Sequence, residues 1–166
     1  MNVAKAAVQL CQKYGGDESK AYLAGILHDV MKEEKPQIQL QMIKESGIIT
    51  DTVLLEAAPL WHAKAGAAYC KRVLHIEDED LLNAISYHTT ARANMSQLEK
   101  ILYLADYIGE ERDYEDVDIM RAETMASMER GLQYALTYTI RDLAGRGRPL
   151  HLDTVQAYNQ LMSKSK

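Results

Sequence analysis

The stretch LAGILHDVMKEEK, Leu23 to Lys35, sets a histidine and an aspartate side by side in a segment that otherwise reads as a buried helix. Asp17 is placed to cap that helix, and Tyr22, Leu23, Ile26, Leu27 and Val30 recur at the spacing of an apolar helical face. His28 follows Ala21, Ala24 and Gly25 at three- and four-residue steps, a stripe of small residues that lets a neighbouring helix approach closely. A core helix that carries His28 and Asp29 needs a reason for both.

Outward from this stretch, the pattern stays helical. Val3 to Tyr14 repeats apolar residues at helical spacing and stops at Gly15-Gly16. Pro36 opens a third helix that Gly47 ends. Asp51 to Ala58 reads as a short helix broken by Pro59, and helical spacing resumes from His62 to Leu74. Asp78 or Glu79 begins the next, through Leu81, Leu82, Ile85 and His88. Ser96-Gln97-Leu98-Glu99 is a capping box ahead of a strongly apolar helix to Ile108. Gly109 to Asp118 is acidic and irregular, a long helix runs from about Ala126 to Ala144, and Asp153 caps the last. No alternating strand of useful length occurs, which predicts an all-α fold.

With 166 residues the chain fits one domain, and a net charge of −5 argues against long polyanions such as nucleic acid. A small phosphorylated ligand is compatible with that charge, because metal ions or a few local Lys and Arg can neutralise it. Cys11 and Cys70 lie in helical patterns without a C-x-x-C pair and read as buried free thiols. No apolar run of ~18 residues and no signal-peptide pattern is present, so the expectation is a cytoplasmic chain without a membrane partner.

The remaining polar residues fall on apolar faces. Asp106 follows Leu98 and Leu102 at four-residue steps and points to the core, with no Lys or Arg one turn away to pair with it. An ionised carboxylate there is costly unless it is paired or binds metal. His88 follows Ala84 and Ile85, and His62 opens a helix beside Trp61. A lone histidine on such a face is usually a hydrogen-bonded core residue. The set of His28, Asp29, His62, His88 and Asp106 instead supplies the neutral imidazoles and carboxylates that a divalent metal takes. His75 and His151 fall outside the pattern.

In that order, His28-Asp29, His62, His88 and Asp106, the chain resembles the HD superfamily of helical metal-dependent phosphohydrolases. The words AGILHDVMK, HAKAGA, AISYHTTA, MSQLEKILYLADYIGEERDY and PLHLDTVQAYNQL are similar to the YqeK subfamily, symmetrical diadenosine tetraphosphate hydrolases with a dinuclear iron centre. The resemblance implies one HD-domain helical bundle over residues 1–166 that cleaves the dinucleotide to two ADP. It further implies that His28, Asp29 and Asp106 hold one metal and His62 and His88 a second, with Asp29 bridging. The cofactors expected are two divalent ions, iron first, with manganese, magnesium and zinc as alternatives.

Asp29 and Lys32 are the residues expected to serve the catalytic step. Lys32, one turn after His28, is expected to contact substrate, as are Arg92 after the His88 word, Arg112 after the Asp106 helix, and Arg148 beside Arg146 in a Gly-rich loop. The expected partner is a small-molecule nucleotide. Leu132, Leu136 and Ile140 on the long helix have two destinations, the core or a second copy, so a homodimer stays open.

The pattern departs from the subfamily in two places. A further ligand histidine belongs some four residues ahead of the position of Val3, which falls upstream of Met1, so the first helix is expected to be cut short at its N-terminal end. Thr90-Ala91 stands where the subfamily has Thr-Gly, and Gly109-Glu110 where it has an acidic residue and Pro. The alternatives are another HD phosphohydrolase, acting on a guanosine polyphosphate, a deoxynucleoside triphosphate or a cyclic dinucleotide, and a non-catalytic nucleotide-binding module.

Overall fold

The computed structural model describes residues 2–47, 54 and 56–164. These form nine α-helices: α1 (Asn2–Tyr14), α2 (Glu18–Leu27), α3 (Pro36–Glu45), α4 (Trp61–Arg72), α5 (Glu79–Tyr87), α6 (Gln97–Ile108), α7 (Val117–Ala126), α8 (Met128–Gly145) and α9 (Leu152–Lys164). A 3₁₀ turn, Ala58–Leu60, leads into α4, and none of the described residues lies in a strand. No described helix is long and apolar enough to cross a membrane.

Helix α6 is the hub. Ile101, Leu102, Tyr103, Leu104 and Ala105 are all fully buried, and a helix apolar on every side must be enclosed on every side. It packs against α1, α2, α5, α7 and α8, so its C-terminal end, where Asp106 sits, is held from several directions. Its start is fixed by the capping box, Ser96 accepting from the Glu99 N–H at 3.1 Å and Glu99 accepting from the Ser96 N–H at 2.6 Å.

Three residues, Gly15-Gly16-Asp17, fold α1 and α2 into a hairpin, and Asp17 Oδ1 caps α2 through the Lys20 N–H at 3.0 Å. Here the small-residue stripe does what its spacing predicts. A Cβ added at Gly25 would stand 2.4 Å from Ala4 Cα, so the two backbones meet where no side chain fits. The apolar face read for α2 is inverted. Ala21, Ala24, Gly25 and His28 are buried, whereas Tyr22 (47% exposed), Leu23 (41%), Ile26 (43%) and Val30 (37%) face outward. Close backbone approach won over side-chain bulk, because only the small face lets α1 and α2 come into contact.

Other boundaries also moved. Helix α2 ends at Leu27, and residues 28–33 form tight turns in place of a continued helix. Residues 51–53 and 55 of the short helix expected from Asp51 to Ala58 lie outside the described residues, and Pro59 falls in the 3₁₀ turn. Helix α7 occupies part of the acidic stretch read as irregular. Its apolar stripe is narrow, Val117 and Met120 with Thr124, and so carries a weak periodic signal. Ser127, in extended backbone, separates it from α8. The cap of α9 is His151 rather than Asp153, its Nδ1 accepting from the Asp153 N–H at 3.2 Å. Leu132 and Leu136 of α8 are buried in the core. Cys11 and Cys70 are free and buried, and burial pushes the Cys70 thiol up to about 11.

Gly25→Ala is expected to destabilise the fold by about 1–3 kcal/mol, because overpacking against backbone cannot be relieved by a rotamer change. Leu23→Gln on the outer face should shift the urea midpoint by less than about 0.5 kcal/mol equivalent. Equal midpoints for the two variants would refute the close approach.

Candidate metal centre

Helix ends build this site. His28 is the residue on which α2 stops and His88 that on which α5 stops, His62 is the second residue of α4, and Asp106 lies two residues from the end of α6. At the C-terminal ends the carbonyls orient the rings. His28 Nδ1 lies 2.8 Å from the Gly25 carbonyl and His88 Nδ1 lies 2.7 Å from the Ile85 carbonyl. A carbonyl only accepts, so each Nδ1 carries the proton and each neutral ring turns a bare Nε2 lone pair inward. The same arrangement is what fixes the tautomer of a metal-ligating histidine.

Those lone pairs converge on Asp29. Its Oδ2 lies 3.2 Å from His28 Nε2, and its Oδ1 lies 3.2 Å from His62 Nε2 and 3.5 Å from His88 Nε2. His62 Nε2 and His88 Nε2 are themselves 3.2 Å apart. Asp106 Oδ1 is 3.7 Å from His28 Nε2. One donor atom each from His28, Asp29 and His88 fall within 4.8 Å of one another. Asp29 Oδ1 is buried and has no hydrogen-bond partner among the described residues. Acceptors that face one another at this range repel unless a cation lies among them. Donor atoms sharing one cation at about 2.0–2.2 Å stand roughly 3–3.5 Å apart, which these spacings fit. The residues therefore suit a divalent metal.

Electrostatics agrees with the geometry. Burial raises the Asp29 carboxyl, but hydrogen bonds from His28, His62 and His88, wherever an Nε2 carries a proton, and from the Lys32 ammonium outweigh it and hold the group far below the usual carboxylate range. Asp29 is thus an anion at any ordinary pH. Burial lowers His88 below the ordinary imidazole value and keeps the ring in its neutral, ligating form. His28 is lowered by burial and raised by Asp29 and Asp106, with a net rise, so protons compete for its lone pair more effectively than at His88.

The cationic residues separate into groups. A turn closed by the Lys32 N–H on the Asp29 carbonyl at 2.9 Å returns the Lys32 side chain to the site, where Nζ donates to Asp29 Oδ2 at 2.7 Å. Arg112 supplies the partner for Asp106 that one-turn spacing lacks. Its guanidinium donates to Asp106 Oδ1, and its Nε donates to the Asp106 carbonyl at 2.7 Å. Arg92 is not brought to the cluster. It donates to the buried Glu99 at 2.6 and 3.1 Å and lies over the Tyr87 ring, 4.7 Å from its centroid. The Lys64 Nζ is 3.5 Å from the same centroid. Arg148 is exposed in the loop after α8, and Arg146 pairs with Asp142 at 2.8 Å. His75 is exposed, and His151, buried as the α9 cap, is not in the cluster.

Sequence reading missed Arg121. It donates to the carbonyls of Ile108 at 3.3 Å, Gly109 at 3.0 Å and Arg112 at 3.0 Å. It thereby closes the C-terminal end of α6 and holds the turn that aims Arg112 at Asp106. Nothing local signals this, because the acceptors lie 9–13 residues away. The departure at Ala91 also has a conformational meaning. This buried alanine holds φ at +57°, the left-handed region that glycine adopts without strain.

Asp106→Ala is expected to lose the one ion it would share with His28 and Asp29, read as metal bound per chain in a metal titration, whereas His75→Ala should retain the wild-type content. Wild-type metal in the Asp106 variant would remove it from the ligand set. Arg121→Met should lower stability by about 1–3 kcal/mol in urea unfolding, since carbonyls in a part-buried turn lose their donor. An unchanged midpoint would deny Arg121 its role in that turn.

Comparison with known proteins agrees with this geometry. The HD domain family model matches residues 1–110. A symmetrical bis(5'-nucleosyl)-tetraphosphatase of Halalkalibacterium halodurans is 37% identical over 166 residues, covering 100% of this chain and 88% of the relative. The protein of the same description from Bacillus subtilis is 35% identical, covering 99% of this chain and 88% of its own length. A crystal structure from Clostridium acetobutylicum, described as a predicted HD superfamily hydrolase involved in NAD metabolism, superposes with a TM-score of 0.94 at 36% identity and covers 98% of this chain and 86% of its own. With its histidines and aspartates gathered at the helix ends, the chain belongs to the HD domain family, among relatives of the symmetrical bis(5'-nucleosyl)-tetraphosphatases.

Proposed function

We propose that the protein is a metal-dependent phosphohydrolase that cleaves diadenosine tetraphosphate symmetrically to two ADP. The observation that carries this reading is the Asp29 carboxylate, one oxygen turned to His28 and Lys32 and the other to His62 and His88. Supporting it, relatives that share more than a third of their residues with the chain over nearly its whole length are symmetrical bis(5'-nucleosyl)-tetraphosphatases.

His28, Asp29 and Asp106 would hold one divalent ion, and His62 and His88 the other, with Asp29 shared. When bound, two such ions, iron first and manganese, magnesium or zinc as alternatives, lower the pKa of water and neutralise charge on the attacked phosphoryl group. The chain's own part is electrostatic and positional. Lys32 orients Asp29 and places an ammonium where charge grows on the leaving diphosphate. Arg112 holds Asp106 and leaves part of its fork for a phosphate oxygen. We place the enzyme in the cytoplasm, a reading supported by its reduced, buried cysteines, and the outward face of Tyr22, Leu23, Ile26 and Val30 supports a homodimer.

With the tetraphosphate as substrate, ADP should be the only nucleotide product, resolved by ion-exchange chromatography. AMP and ATP in equal amounts would indicate asymmetric cleavage and a different binding register.

A further inference from the structure

Two residues between α5 and α6 hold a left-handed backbone without being glycine, Ala91 and Asn94, each at φ +57°. Asparagine tolerates that region because its short polar side chain bonds locally, whereas alanine keeps it only where the surroundings impose it. Ala91 is fully buried and follows His88 by three residues. Something must hold this turn, and His88 sits at its start.

Part of the support is local. The Ala91 N–H donates to the Tyr87 carbonyl at 2.8 Å, and the Thr90 hydroxyl donates to the Ala91 carbonyl at 2.9 Å. The rest comes from α9, 64 residues further along the chain. There Thr154 donates its hydroxyl to the Thr90 carbonyl at 2.8 Å, and both residues are buried. On the same helix Gln160 accepts from the Asn94 N–H at 2.7 Å and returns an amide N–H to Asn94 Oδ1. Each left-handed residue therefore adjoins a bond from α9. Thr154 is itself well fixed, because it lies in the first turn after the His151 cap and α9 packs along α8.

The consequence falls on His88. It is the residue on which α5 stops, and its Nδ1 is bound to the Ile85 carbonyl, so the direction of its ring follows the last turn of that helix. The same turn supplies the Tyr87 carbonyl that the Ala91 N–H occupies. Were Ala91 to leave the left-handed region, that bond would open and the end of α5 would loosen. His88 Nε2 stands 3.2 Å from His62 Nε2 and 3.5 Å from Asp29 Oδ1, spacings that suit a shared cation only while the ring keeps its place.

We propose that Thr154 is a positioning residue for His88: its bond to the Thr90 carbonyl holds Ala91 in the left-handed region and keeps the His88 ring aimed at the ion it would share with His62, while Gln160 braces the same segment at Asn94. The role rests on the reading of His62 and His88 as one half of the metal centre. It makes that half depend on α9, a helix that contributes no ligand.

The test uses cobalt(II) as probe, titrated into the metal-depleted full chain and followed by visible absorption and equilibrium dialysis. The ion at His62 and His88 is identified as the one lost in His88→Ala. Thr154→Val keeps the shape of the side chain without its hydroxyl, and should weaken that ion by about tenfold or more, as loss of a group that orients a metal ligand does. Thr154→Ser, which keeps the hydroxyl, should bind as wild type does. Adding Ala91→Gly to Thr154→Val should return most of the lost affinity, because glycine takes this φ without support. In a His88→Ala background Thr154→Val should have no effect on the remaining ion. Gln160→Ala, at a half-buried position, should weaken the His62–His88 ion by a few-fold, and it decides the matter if Thr154→Val does not fold. Wild-type cobalt affinity in both Thr154→Val and Gln160→Ala, even with a lowered urea midpoint, reduces these bonds to a stabilising role and overturns the proposal. A further loss in the His88→Ala background does the same, since the effect would not then pass through His88. A wild-type chain that takes up no cobalt sinks the metal centre and the positioning role together, whereas normal uptake by wild type and variants alike sinks the positioning role alone.

Discussion

The carboxylate of Asp29 is the constraint around which the rest is arranged. It is an anion set among three imidazoles, with one oxygen buried and lacking a hydrogen bond among the described residues. Such a group is tolerated inside a protein only where positive charge meets it. Lys32 provides one charge from three residues along the chain, and the inward-facing Nε2 atoms leave room for a cation to provide the rest. The fold can be read as the means of bringing four helix ends to this carboxylate and holding their rings at the correct angle.

That task explains the close contact of α1 and α2. The Gly25 backbone that touches Ala4 is also the one whose carbonyl fixes His28 Nδ1. A larger residue at Gly25 would move the carbonyl as well as the helix, so packing and ring orientation are one requirement. On the far side the linkage is longer. Arg121 closes the end of α6, the turn it holds carries Arg112, and Arg112 holds Asp106. Each donor in this chain occupies a carbonyl or carboxylate that would otherwise be left unsatisfied near a charged site.

Much of this was legible because it is local. The caps at Asp17 and Ser96 and the stops at Gly15 and Gly47 satisfy backbone groups a few residues away, so their residue types announce them. The small stripe ending in His28 and the core-facing step to Asp106 are likewise periodic. The outward turn of Tyr22, Leu23, Ile26 and Val30 was not legible. Apolar bulk at helical spacing normally marks the core, and here the smaller face took that place because it alone permits backbone contact. Helix α7 escaped for a related reason, its three-residue stripe being narrow among acidic neighbours.

The sequence by itself determined the all-α architecture and most of the helices that bear the site, and it singled out the five His and Asp residues, since helical spacing sets His28, His88 and Asp106 on apolar faces, His62 opens its own helix and Asp29 adjoins His28. Only the tertiary structure decided which arginine serves the site. Arg112 reaches Asp106 because the chain turns back after α6, and Arg92 is withdrawn because Glu99 is buried beside it. The pairing of Arg121 with three distant carbonyls and that of Thr154 with the Thr90 carbonyl are equally beyond the reach of spacing. Long side chains choose partners by distance in space, and that distance is set only when helices far apart in sequence pack together.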